Sequence, residues 1–252
     1  MRFETSGNCP YCGKAQKYGL LDILGKNTWI KIKCDCEGEK NSEKNIQEIK
    51  KKKRAVEYFE KWNLVGLRFK NKTFENFNSD SDLKNKTLYL CKEYCKNFQK
   101  HLKNGTGLYL EGASGTGKTH LSVAIMKELM KNNYSIIFIN VSDLLTRLKE
   151  SQKFGGENIE EILNDLKKVD LLILDDIGSM PSSTTNEDLI YKVVNLRYEA
   201  MKPVILTTNA SPKALYATLT PKTYDRIKAT CIYSNLLNNE KSFRIKADAM
   251  FC

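Results

Sequence analysis

Nowhere does the sequence sustain an apolar run long enough to cross a bilayer, and its first residues lack the apolar core of a secretory signal. These absences argue against a membrane role and lead us to expect a cytoplasmic protein. Acidic residues are in short supply: 30 Asp and Glu face 41 Lys and Arg, for a net charge of +11. The deficit is uneven, since residues 1–72 carry 17 basic and 9 acidic side chains, a net +8, which leaves +3 for the other 180 residues. Such asymmetry suits a polyanion or an acidic protein surface as partner, though ordinary solubility in a Lys-rich chain accounts for it as well. There is no internal repeat, and no low-complexity tract beyond the lysines at 50–53. At 252 residues the chain holds either one large domain or a core with an appendage.

The most informative stretch reads Gly112-Ala113-Ser114-Gly115-Thr116-Gly117-Lys118-Thr119, which fits G-x-x-x-x-G-K-[ST] at every fixed position. The glycines let the backbone curl so that successive N–H groups face a phosphate chain. Lys118 then reaches the β- and γ-phosphates, and the Thr119 hydroxyl is a ligand for Mg²⁺. An apolar run at 107–110 enters the loop as a strand. His120 and residues 121–130 leave it as a helix whose N-terminal dipole favours an anion. Residues 112–120 are thus expected to bind ATP with Mg²⁺.

A second element is needed for hydrolysis. Residues 169–176, Val-Asp-Leu-Leu-Ile-Leu-Asp-Asp, form an apolar run ending in two carboxylates, as a buried parallel strand should. Asp175 would join the Mg²⁺ shell and Asp176 would polarise the attacking water. A core strand followed by an acidic turn is the alternative, and the phosphate loop upstream favours the nucleotide site.

In a reducing compartment, eight cysteines argue for metal ligands or free thiols rather than disulfides. Cys9, Cys12, Cys34 and Cys36 are spaced C-x₂-C-x₂₁-C-x-C. Cys9-Pro-Tyr-Cys-Gly13 reads as a knuckle, and residues 17–33 suit a short hairpin between the pairs. Four thiolates around tetrahedral Zn²⁺ would fold a segment too small to hold a core of its own. Unligated thiols are the alternative; a redox pair is disfavoured because no βαβ pattern surrounds it. Residues 37–63 are predicted helical, with Ile46, Ile49, Val56, Phe59 and Trp62 on one face and a basic run at 50–54. Residues 65–82 read as linker and entry loop, in which the aromatics of 68–77 either pack against the adenine or staple the segment onto the core, and 81–103 read as an amphipathic helix. Strands are expected near 107–111, 135–140, 169–175, 203–208 and 231–234 with helices between, which predicts an α/β fold around a parallel sheet.

Three later segments narrow the class. Pro203-Val-Ile-Leu-Thr-Thr-Asn209 ends an apolar strand in an amide, and Asn209 resembles the sensor-1 residue of AAA+ ATPases. Thr223-Tyr-Asp-Arg-Ile227 resembles the segment that presents an arginine finger, here Arg226, to a neighbouring subunit; Arg197 is the competing position. Arg244 in Ser242-Phe-Arg-Ile245 resembles sensor 2. Together with Phe74-Glu-Asn-Phe77, Leu174-Asp-Asp-Ile-Gly178 and Asn195-Leu-Arg-Tyr-Glu199, these motifs resemble the DnaC/DnaI/IstB group of AAA+ proteins over residues 68–246.

The resemblance implies a P-loop core with strand order 5-1-4-3-2 at residues 65–252, behind a helicase-binding zinc module with a basic helix at 1–64. It also implies ATP hydrolysis at Lys118, Asp175, Asp176 and Asn209 with Arg226 acting in trans in an AAA+ spiral or ring of identical subunits. The implied partners are a replicative hexameric helicase and single-stranded DNA, with Lys149, Lys153 and Phe154 as candidate DNA contacts. AAA+ proteins usually carry Asp-Glu where this chain has Asp175-Asp176, so hydrolysis is expected to be slow. An IstB-like transposition helper and a zinc-bearing adaptor with ATP as a structural switch are the alternative functions.

Overall fold

The computed structural model describes residues 2–23, 26–62, 65–152, 158–179 and 183–237. Arg244, Lys153 and Phe154 lie outside the described residues. Two compact units are present, Met1–Lys53 and Arg54–Cys252.

The first unit is a three-stranded antiparallel sheet in the order β1 (Phe3–Asn8), β2 (Ala15–Ile23), β3 (Lys26–Lys31), followed by the start of helix α1 (Glu37–Trp62). The expected hairpin is β2–β3, paired from Tyr18↔Lys31 to Ile23↔Lys26. The sequence reading missed β1, whose six residues are all exposed and carry no apolar alternation. The boundary between the units falls within α1. Of the apolar face assigned from sequence, Trp62 is buried and Phe59 partly buried, but Ile46, Ile49 and Val56 are exposed, and Ala55 is covered in their place. The covered stripe begins at a small residue and ends at a large one two turns later.

In the second unit the C-terminal part of α1 is followed by α2 (Asp82–Lys96) and α3 (Phe98–Asn104). The single helix expected at 81–103 breaks at Asn97, whose side-chain amide donates back to Glu93 O at 3.0 Å. The core then alternates: β4 (Gly107–Gly112), α4 (Lys118–Lys131), β5 (Ile136–Asn140), α5 (Val141–Glu150), α6 (Ile159–Lys168), β6 (Leu171–Asp175), α7 (Thr184–Glu199), β7 (Val204–Thr208), α8 (Pro212–Thr218), α9 (Pro221–Thr230) and β8 (Cys231–Leu237). All pairings are parallel, in the order β5-β6-β7-β4-β8. Counted from the other edge with β4 as the first core strand, this is the expected 5-1-4-3-2.

Both faces of the sheet are covered, which explains the unbroken apolar runs of its strands. In β6, Leu172 and Leu174 join a core with Ile137, Ile139, Ile162 and Val193, while Leu171 and Ile173 join another with Leu108, Leu110, Leu121 and Ile125. Ser81, Asn140, Asn158, Ser183, Ser211 and Thr220 cap successive helices by accepting a backbone N–H. The carboxyl ends of the strands, where β4 interrupts the simple sequence order, form the usual ligand crevice of such sheets. Among the described residues no helix is long and apolar enough to cross a membrane.

Candidate functional site

The turn from β4 into α4 depends on left-handed glycines: Gly115 has φ +80° and Gly117 φ +104°. Within the loop, Lys118 Nζ donates to Gly112 O at 2.8 Å and to Ala113 O at 2.9 Å. Thr116 Oγ1 donates to Ala113 O at 2.8 Å. Lys118 is held at the mouth of the loop although it is itself buried.

Asp175 ends β6 beside this loop. Thr119 Oγ1 lies 3.0 Å from both carboxylate oxygens, and Thr207 Oγ1 donates to Oδ1 at 2.7 Å. Burial raises the Asp175 pKa above the ordinary carboxylate value, against the opposing pull of the two threonine hydroxyls. A dry carboxylate next to a hydroxyl suits a hard divalent cation, so Thr119 and Asp175 fit Mg²⁺. Asp176 has φ +61°, its N–H donates to Thr207 Oγ1 at 2.8 Å, and its Oδ2 accepts from Ser179 Oγ at 2.6 Å. Gly178 lets this turn press onto the end of β7: a Cβ there would stand 2.6 Å from Thr208 Oγ1.

A cavity of about 350 Å³ joins these groups. Lys118, Thr119, Asp175, Asp176 and Asn209 line it, with Ser114, Gly115, Gly117 and His120 from the loop. Gly112, Ala113 and Thr116 belong to the loop but not to the lining, and take part in the hydrogen bonds within the loop. His120 Nε2 donates to Thr73 O at 2.7 Å and its ring meets Phe77 edge-on, so it ties the entry segment to α4. Burial lowers its pKa, against the opposing pull of the Thr73 carbonyl. Asn140, Thr207, Arg68 and Lys72 also line the cavity and were not singled out as site residues from the sequence. Thr207 stands two residues before Asn209, a signal that was available. Arg68 and Lys72 flank Phe69, which also lines the cavity, in the segment whose aromatics were expected either against the adenine or as a staple onto the core.

The two arginines behave differently. Arg197 is fully buried, and its guanidinium donates to the carbonyls of Leu166, Lys167, Val169, Asp170 and Pro203 at 2.6–3.2 Å. It joins α6, β6 and β7 and is remote from the cavity lining. Arg226 is also absent from that lining and stands half-buried on α9. Lys149 is exposed on α5.

In the first unit, the Sγ atoms of Cys9, Cys12, Cys34 and Cys36 all lie within 4.8 Å of one another. Cys9–Cys36 are 3.7 Å apart and Cys12–Cys34 3.6 Å. Thiolates about 2.3 Å from a tetrahedral Zn²⁺ stand roughly 3.8 Å from each other, so the cluster fits that ion. The knuckle closes through Gly13 N–H to Cys9 O at 2.9 Å, with Gly13 at φ +72°. The Tyr11 backbone N–H draws the Cys9 thiol down to about 7, while Cys12 is raised to about 11 and Cys36 above its ordinary value, so the four thiols do not shed their protons alike.

Comparison with known proteins agrees with this arrangement. The chain is 28% identical over 182 residues to the replicative helicase loader DnaC of Escherichia coli (strain K12), covering 71% of this chain and 73% of the relative. The crystal structure of the DnaC helicase loader superposes with a TM-score of 0.62 at 27% identity, covering 67% of this chain and 98% of that one. The replication initiator DnaA bound to AMPPCP and single-stranded DNA gives a TM-score of 0.59 at 25% identity, over 75% of this chain and 56% of that one. A family model described as IstB-like ATP binding protein matches residues 44–251. With most of its length matched and an AAA+ sheet around its phosphate loop, the chain belongs to the IstB-like ATP-binding family.

Proposed function

We propose that this protein loads a replicative hexameric helicase onto single-stranded DNA and uses ATP hydrolysis to switch between assembly and release. The observation that carries the reading is the convergence of Lys118, Thr119, Asp175, Asp176 and Asn209 on one cavity, in a chain similar over most of its length to a helicase loader.

Each residue has a task set by its chemistry. Lys118 exchanges its two loop carbonyls for the phosphates of ATP, and the loop N–H groups hold the same chain of oxygens. Thr119 and Asp175 hold Mg²⁺, which when bound neutralises charge on the phosphates. Asp176 and Asn209 orient the attacking water, and Arg226 of a second copy balances charge on the phosphoryl group being transferred. The zinc module and basic helix at residues 1–64 grip the helicase, with residues 65–252 as the motor, and Lys149 faces the DNA phosphates.

The test is ATP-dependent co-purification of the full chain with the replicative helicase of its own source. A stable complex formed with ATP and lost on hydrolysis is expected. Growth of filaments on duplex DNA, with no helicase retained, would replace the loader by the transposition helper. Phosphate release at background rate from both the wild type and Asp176→Asn, with ATP still bound, would leave only the zinc-bearing adaptor.

A further inference from the structure

Arg226 is held in an unusual way for a surface arginine. Its guanidinium carbon lies 4.9 Å from the ring centroid of Tyr191 and 5.4 Å from that of Tyr198. These tyrosines stand seven residues apart on α7 and so share one face of that helix, against which α9 packs. Nη1 donates to Lys222 O at 3.2 Å, while Nε is buried without a hydrogen-bond partner among the described residues. Arg197 shares the unpartnered Nε, but both its Nη atoms are committed to five backbone carbonyls.

Ring contacts and hydrogen bonds use different parts of a guanidinium. An aromatic ring attracts the cation through its π-face. The N–H donors point outward in the guanidinium plane and match the oxygens of a phosphate. A tyrosine pair therefore restricts where the cation sits without consuming the donors that would meet a phosphoryl group. A side chain with four flexible torsions otherwise loses much entropy when it is fixed.

We infer that Tyr191 and Tyr198 are positioning residues that pre-orient Arg226 for the nucleotide of a second copy of this chain. The inference rests on the reading of Arg226 as a finger acting in trans. It adds that the finger's efficiency depends on two tyrosines outside the nucleotide cavity. Loss of either ring leaves the charge in place but lets it wander, which slows turnover in the assembly and leaves the binding of ATP by each subunit unchanged.

The experiment measures phosphate release by the full chain against ATP concentration, at protein concentrations where turnover per subunit rises through self-association. Tyr191→Leu and Tyr198→Leu should each lower kcat about 3- to 10-fold with KM for ATP unchanged, and Tyr→Phe at either position should restore it, because the π-face survives. On an Arg226→Ala background, Tyr198→Leu should cost nothing further. Full turnover in both leucine variants, beside a large loss in Arg226→Ala, would overturn the positioning role and leave the finger intact. An undiminished Arg226→Ala would remove the finger and the positioning role together. Equal losses from Tyr198→Leu with and without Arg226 would also overturn the inference, by showing that the ring acts only through the packing of α7.

Discussion

Thr119 Oγ1 lies 3.0 Å from each carboxylate oxygen of Asp175, which ties the helix leaving the phosphate loop to the strand that carries the acids. This contact joins the proposed Mg²⁺ ligands. Replacing Asp175 by Asn should therefore lower Mg²⁺-dependent ATP turnover by more than about 100-fold, since even residues that merely support metal ligands commonly cost 10- to 100-fold. Phosphate release against Mg²⁺ concentration checks it. A variant that reaches the wild-type rate at the same Mg²⁺ concentration would remove Asp175 from the metal shell.

The same carboxylate makes a prediction about stability. Burial raises the pKa of Asp175, so the folded chain binds this proton more tightly than the unfolded chain does. Its favourable contribution is present below the unfolded pKa and is lost as pH rises through the folded pKa. Without Mg²⁺ and nucleotide, Asp175→Asn should melt above the wild type at neutral pH, and the gap should narrow as the pH is lowered through the acid range. Thermal melts across that range decide it; a gap that does not change with pH contradicts the argument.

Arg197 should matter to the fold rather than to the chemistry. Arg197→Met leaves five backbone carbonyls without this donor, at an expected cost of about 3–5 kcal/mol, or roughly 10 °C in Tm. At a temperature where the variant remains folded, its ATP affinity should match the wild type, because Arg197 does not line the cavity. An unchanged Tm would show that water replaces the guanidinium without penalty.

The cysteine cluster should hold one Zn²⁺ per chain. Removing the ion with a strong chelator, or substituting Cys9→Ser, should unfold the three-stranded sheet, which has little core beyond Cys9 itself. ATP affinity should be unaffected, because the phosphate loop belongs to the other compact unit. Metal analysis and circular dichroism before and after chelation provide the check, and a sheet that survives intact would make the thiols mere neighbours.

The core strands could be read from sequence because burial on both sheet faces demands continuous apolar residues, as Leu171-Leu-Ile-Leu174 displays. The phosphate loop was legible because its chemistry is local in the chain. Features created by distant partners were not. β1 has only polar or exposed residues and becomes a strand through pairing with β2. Counting apolar residues put Ile46, Ile49, Val56, Phe59 and Trp62 on one face of α1; Phe59 and Trp62 are covered, with Ala55 beside them, but the first three are exposed, and Trp62 Nε1 donates to Asp165 at 3.2 Å. Arg197 had a usable signal: with Asn186, Ile190 and Val193 it falls on the buried stripe of α7, where a cation must find carbonyls. The aromatics of residues 68–77 did single out the entry segment, and Phe69 lines the cavity, but its cations Arg68 and Lys72 carried no local signal of their own.

The left-handed backbone at Asp176 also bears on the short acid that stands where a glutamate is usual. Aspartate and asparagine enter that region more readily than most residues, because their short polar side chains bond locally, as Asp176 does with Ser179. A side chain one methylene longer would extend the carboxylate toward the water but would fit this bend less well. The identity of the second acid is therefore constrained by how the chain leaves its strand, and lengthening it alone would set reach against backbone shape.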